Sequence, residues 1–116
     1  MSDLYRRSIE IILRNQAPSG AYIASPNFAT YRYCWFRDGS YIAYAMDLTA
    51  NRDSAARFHA WAAGTVNARR QVVSRALDKA QHGLPLADED ILHTRYTLDG
   101  QDGRQEEWPN FQLDGF

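Results

Sequence analysis

Tyr31-Arg32-Tyr33-Cys34-Trp35-Phe36-Arg37-Asp38-Gly39-Ser40-Tyr41-Ile42-Ala43-Tyr44-Ala45-Met46-Asp47 is the stretch from which both the fold and the chemistry of this chain are read. Its second half, from Asp38 or Gly39 to about Thr49, reads as a helix that is apolar nearly all round, and such a helix needs neighbours on several sides. Its first half has no lasting period. It closes a segment, residues 21–37, that also holds Tyr22 and Phe28. A loop so rich in rings is costly to expose and is expected to pack down on something.

On the N-terminal side, Tyr5, Ile9, Ile12 and Leu13 recur at helical spacing among Arg6, Arg7, Glu10 and Arg14. This predicts a surface helix from about Asp3 to Gln16 with a single buried stripe, stopped by Pro18, Ser19 and Gly20. On the C-terminal side, Asp53 is placed to cap a third helix reaching about Gln81, roughly 40 Å long at 1.5 Å per residue. Its apolar stripe runs through Phe58, Ala62, Thr65 or Val66, Val73, Ala76 or Leu77 and Ala80. After His82-Gly83 the chain reads as irregular, with a short strand within Ile91–Leu98 turned by Asp99-Gly100 and Asp102-Gly103. The class is all-α: about three helices, an aromatic-rich loop and a short hairpin-like segment. A small domain should bury its own rings, and this packing looks unfinished without more chain or a partner.

The formal charge of -1 offers no global field for nucleic acid or an anionic membrane. It hides an asymmetry: residues 1–83 hold 11 Lys and Arg against 6 Asp and Glu, and residues 84–116 hold 2 against 8. Either the halves neutralise each other within a larger fold, or a basic helix is simply followed by an acidic loop. One cysteine, Cys34, excludes an internal disulfide, so the reducing cytoplasm is the expected compartment. There is no secretion-type leader and no apolar run near the roughly 20 residues that cross a bilayer.

His59, His82 and His93 are far apart in sequence and suggest no metal set, and no phosphate-cradling glycine loop implies a nucleotide cofactor. Two motifs remain. Tyr31 to Gly39 places rings and an Arg37-Asp38 pair immediately before a helix. A neutral sugar presents neighbouring hydroxyls and an apolar ring face, and is held by planar donors, carboxylate acceptors and aromatic platforms. Arg37 and Asp38 can share one diol, with Trp35 and Tyr31 as walls. The bland alternative is that Asp38 caps the helix, Arg37 pairs with it and the rings are core. Trp108-Pro-Asn-Phe-Gln-Leu-Asp-Gly115 offers a stacking face at Trp108 and polar groups at Gln112 and Asp114; its alternative is a buried Trp followed by a turn. Glycoside cleavage needs two carboxyl groups at controlled separation. Glu106-Glu107 and Asp88-Glu89-Asp90 read instead as solvated or capping groups, so no catalytic pair is assigned.

Taken together and in order, the two motifs resemble those of glycoside hydrolase family 15, the glucoamylase-like enzymes: Tyr31, Tyr33, Trp35, Arg37 and Asp38, then Trp108, Gln112, Asp114 and Gly115. The likeness extends through Gly39–Asp47 and His93–Gly100, essentially the whole chain. It implies the N-terminal fragment of an (α/α)6 toroid, residues 1–116 ending before the expected catalytic glutamates. It also implies a parent enzyme that hydrolyses terminal α-linked glucose from an oligosaccharide or glucan, with inversion and without a cofactor or metal. By that likeness Arg37 and Asp38 bind hydroxyls of the terminal glucose, Tyr31 and Trp35 line its subsite, Trp108 flanks the cleavage point and Gln112 supports it. The implied partners are the glucan and the remainder of the catalytic domain. Two other readings stay open: a non-catalytic carbohydrate-binding protein, and a helical interaction module completed by another chain.

Overall fold

The computed structural model describes residues 2–103. Among these are four helices, α1 (Asp3–Asn15), α2 (Phe36–Leu48), α3 (Arg52–Asn67) and α4 (Arg70–Gln81), and a short antiparallel ladder of β1 (Cys34–Trp35) and β2 (Arg95–Tyr96).

The start of α1 is capped by Ser2, whose hydroxyl accepts from the Tyr5 amide at 3.2 Å. Of the expected stripe, Ile9 and Ile12 pack on the core, whereas Tyr5 and Leu13 are exposed. The helix is fastened mainly by its far end. There the Gln16 amide donates to the carbonyls of Gly20 and Ser54, each at 2.9 Å, and its oxygen accepts from Ser54 at 2.8 Å and Arg57 at 2.6 Å. The turn that follows requires glycine. Gly20 has φ +103°, and a β-carbon there would lie 2.3 Å from the Arg57 carbonyl oxygen.

Helix α2 begins two or three residues earlier than the sequence suggests, because extended Trp35 ends β1 and occupies the cap position. It packs on α3 through Gly39, Ala43 and Met46, against a ring cluster in which Tyr22 stacks on Phe58 with centroids 5.3 Å apart and Phe36 lies 4.9 Å from Tyr96. Its opposite face carries Tyr41, Tyr44 and Leu48, 73%, 64% and 69% exposed. This is the uncovered surface expected of a helix apolar nearly all round. The ring-rich loop packs only in part: Tyr22 and Trp35 are buried, while Phe28 and Tyr31 are exposed.

The single helix expected from Asp53 to Gln81 is two helices, so the described residues hold four rather than three. Asn51, not Asp53, occupies the cap of α3. The break falls at Arg69, which leaves helical geometry (φ -116°, ψ 26°). Its guanidinium donates to the Thr65 carbonyl at 2.8 Å and the Gly100 carbonyl at 2.7 Å, pairs with Asp102 at 2.9 Å and lies 4.7 Å from the centre of the Tyr96 ring. These contacts compensate for the interrupted helical ladder.

Of the strand expected within Ile91–Leu98, only Arg95–Tyr96 pairs, with Cys34 opposite Tyr96 and Trp35 opposite Arg95. The Gly100 amide then donates to Thr97 at 2.9 Å, Gly100 sits at φ +82°, and a bridge joins Tyr96 to Asp102, giving a hairpin-like segment. Part of the charge asymmetry is met inside this chain, where Asp90 of the acidic segment pairs with the basic helix α4 and Asp102 with Arg69. Arg75 meets Asp90 at 3.2 Å, and Lys79 bonds the other Asp90 oxygen. No helix among the described residues is long and apolar enough to cross a membrane.

Candidate functional site

The residues of the first motif gather where the ring loop enters α2. Tyr31 ends a single 3-10 turn, Ala29–Tyr31, held by bonds from the Ser25 amide to the Tyr31 carbonyl at 3.0 Å and from the Ala24 amide to the Tyr33 carbonyl at 2.9 Å. Its ring is 6.1 Å from that of Trp35, tilted by 46°. Tyr33 meets Trp35 edge to face at 6.4 Å. Arg37 and Asp38 follow in the first turn of α2, both about half exposed, with Nε and Oδ1 3.6 Å apart.

Asp38 is therefore not the helix cap. It lies in the first turn, where the amide dipoles favour a carboxylate. The 3.6 Å separation from Arg37 is that of a loose ion pair. Rings and a charged donor and acceptor adjacent in sequence are the residue types that a neutral polyol needs, more than a phosphate or an apolar molecule does. Trp108 and Gln112 lie outside the described residues. Among the described residues no group of three or more His, Cys, Asp or Glu is placed to hold a metal ion.

Sequence reasoning missed Arg95. Its side chain is 0% exposed; Nε donates to the Gly103 carbonyl at 2.8 Å and Nη1 to the Thr30 carbonyl at 3.3 Å. The guanidinium lies 4.2 Å from the centre of the Tyr33 ring and 5.8 Å from that of Trp35. Burial lowers its pKa from the ordinary arginine value, with Tyr33 opposing. The available signal was a lone cation inside the strand-like His93-Thr-Arg-Tyr stretch, where a solvated charge would be out of place.

A separate cleft of about 300 Å³ is lined by Leu13, Asn51, Arg52, Asp53, Ser54 and Arg57 among others. It contains no aromatic side chain and shares no residue with the first motif. It is a poor match to a sugar.

The comparisons with known proteins agree with the family resemblance. The chain is 40% identical over 117 residues to an isomaltose glucohydrolase of Kribbella flavida, covering 100% of this chain and 30% of that protein. It superposes on the solved structure of a wild-type glycosidase with a TM-score of 0.86 at 40% identity, over 97% of this chain and 30% of the other. A variant glycosidase solved in complex with glucose matches with a TM-score of 0.85, again at 40% identity and with the same coverage. The chain thus spans about 30% of the length of these relatives. Residues 1–116 in their entirety match Glycosyl hydrolases family 15, and the chain belongs to that family.

Proposed function

We propose that this chain supplies the terminal-glucose subsite of an α-glucosidase that cleaves with inversion. Its helices form the opening part of an (α/α)6 toroid in this reading, and residues 1–116 stop short of the catalytic glutamates. The observation that carries the proposal is the Tyr31–Trp35 ring pair, 6.1 Å apart, leading directly into the half-exposed Arg37–Asp38 pair. Arg37 donates to glucose hydroxyls, Asp38 accepts from them, and the rings wall the sugar. Trp108 and Gln112 complete the site from the second motif. The name of the Kribbella flavida relative makes isomaltose the first substrate to try.

In the complete protein one protonated glutamate gives its proton to the glycosidic oxygen while a second takes a proton from the attacking water, the two standing about 6.5–9.5 Å apart. The groups of this chain hold the sugar as it flattens and gains positive charge. The uncovered Tyr41, Tyr44 and Leu48 face supports completion by the rest of the catalytic domain. A single cysteine supports a cytoplasmic setting.

Two measurements on the purified 116-residue chain test the proposal. Glucose should perturb the tryptophan fluorescence saturably, and Asp38→Ala should abolish the response; a wild-type chain indifferent to glucose refutes the subsite. β-Glucose release from isomaltose should stay at background. Turnover specific to this chain would refute the placement of acid and base elsewhere.

A further inference from the structure

Arg95 is a cation with no exposed surface, and burying a charge is costly unless the surroundings satisfy it. What surrounds it is the underside of the candidate site. Arg95 stands opposite Trp35 in the β1–β2 ladder, its Nη1 holds the carbonyl of Thr30, next to Tyr31, and its guanidinium plane faces Tyr33.

A second observation concerns Gly103. Its amide donates to the Arg95 carbonyl at 2.9 Å while its own carbonyl accepts from Arg95 Nε at 2.8 Å. A β-carbon on Gly103 would lie 2.8 Å from Arg95 Cγ and 3.0 Å from Tyr33 Cδ1. The side chains of Arg95 and Tyr33 therefore close over a backbone that has no room for a substituent.

We propose that Arg95 is a positioning residue of the glucose subsite, fixing the Tyr31–Tyr33–Trp35 wall through ring contact and through the Thr30 and Gly103 carbonyls without touching the sugar. This rests on the function proposed above. Lysine cannot replace it, because a point ammonium lacks both the planar face and the fork that reaches two carbonyls at once.

Proton NMR of the 116-residue chain tests the idea. In the wild type the Arg95 Nε–H should exchange slowly and show contacts to the Tyr33 and Trp35 ring protons. Arg95→Lys should keep the helical signal, move the ring resonances of Tyr31, Tyr33 and Trp35 toward free values, and weaken glucose binding by about tenfold, which is roughly 1.4 kcal/mol. Gly103→Ala, whose β-carbon would press on Arg95 Cγ and on Tyr33 alike, should weaken the Arg95 Nε–H contacts to the Trp35 ring and move the Tyr31 and Trp35 resonances with them, and that joint change decides the matter if Arg95→Lys does not fold. Added glucose should shift Tyr31 and Trp35 and leave the Arg95 Nε–H in place.

Absent ring contacts in the wild type, ring resonances indifferent to both variants, or a glucose shift largest at Arg95 would overturn the proposal. Intact ring contacts with no glucose response would instead sink the subsite reading, and the positioning role with it.

Discussion

Gly39 of α2 lies directly against the ring of Phe58 of α3: a β-carbon at Gly39 would come within 2.3 Å of Phe58 Cε2 and 2.5 Å of Cζ. The contact is one residue beyond Asp38, so the seating of α2 on α3 sets where the Arg37–Asp38 pair stands. Glycine inside a helix costs about 1 kcal/mol relative to alanine, and close approach is the compensating reason for it here. Gly39→Ala should therefore destabilise the chain by about 1–3 kcal/mol despite the better helix former, as overpacking does in a filled core. Urea unfolding measures this. An unchanged or raised midpoint would mean that the Phe58 ring swings aside freely.

Asp90 should make stability depend on acid. Its buried carboxylate accepts from Lys79, from the Ala87 amide at 2.9 Å and from Arg75 at 3.2 Å. Lys79 first, then the Ala87 amide and Arg75, outweigh burial and hold it at about 2 against an ordinary 3.8. The folded value lies below the unfolded one, so the stabilisation is fully present above the ordinary value and is lost as pH falls through about 2. Asp90→Asn should lower the melting temperature at pH 7, and its deficit should shrink between about pH 5 and pH 2. A deficit independent of pH would remove the charge from the explanation.

How much of this was readable from sequence depended on how local the cause was. The span of α1 followed from its period and from Pro18-Ser19-Gly20, and α2 followed from a run of small and apolar residues. The four residues proposed for the site, Tyr31, Trp35, Arg37 and Asp38, sit within one contiguous stretch, so the motif named them together. The division of α3 from α4 was hidden because two partners of Arg69, Gly100 and Asp102, are more than thirty positions away. Periodicity cannot register such a partner. Arg95 was hidden for the same reason, its contacts reaching Thr30 and Tyr33 across the ladder. The exposure of Tyr5, Leu13, Phe28 and Tyr31 depends on which surfaces meet in space, and a stripe or a cluster of rings does not specify that.

Arg69→Ala should loosen the hairpin while sparing the helices. The substitution deletes the bonds to the Thr65 and Gly100 carbonyls and the pair with Asp102, itself partly shielded from solvent. A loss of about 2 kcal/mol is expected, the scale of hydrogen bonds made by charged groups. Hydrogen exchange should show faster exchange at the Thr97 and Gly100 amides, which bond to Gln101 and Thr97, with the interior amides of α3 unchanged. Equal acceleration everywhere would make Arg69 a global stabiliser rather than a local clasp.

Cys34 offers a direct reading of whether the ring loop closes on the hairpin. It is fully buried on β1 opposite Tyr96, and burial, reinforced by the Asp38 charge and opposed by a Tyr22 backbone bond, pushes its thiol up to about 12. At pH 8 the thiolate fraction is then on the order of 10⁻⁴, and the sulfur is shielded as well. A disulfide reagent should label Cys34 only through opening of the β1–β2 ladder, orders of magnitude more slowly than in urea. The ratio of the two rates gives the opening equilibrium of the same ladder that aligns Trp35 with Arg95. Prompt labelling in water would mean that the ladder does not persist in the 116-residue chain, and that the aromatic wall must be held by contacts outside it.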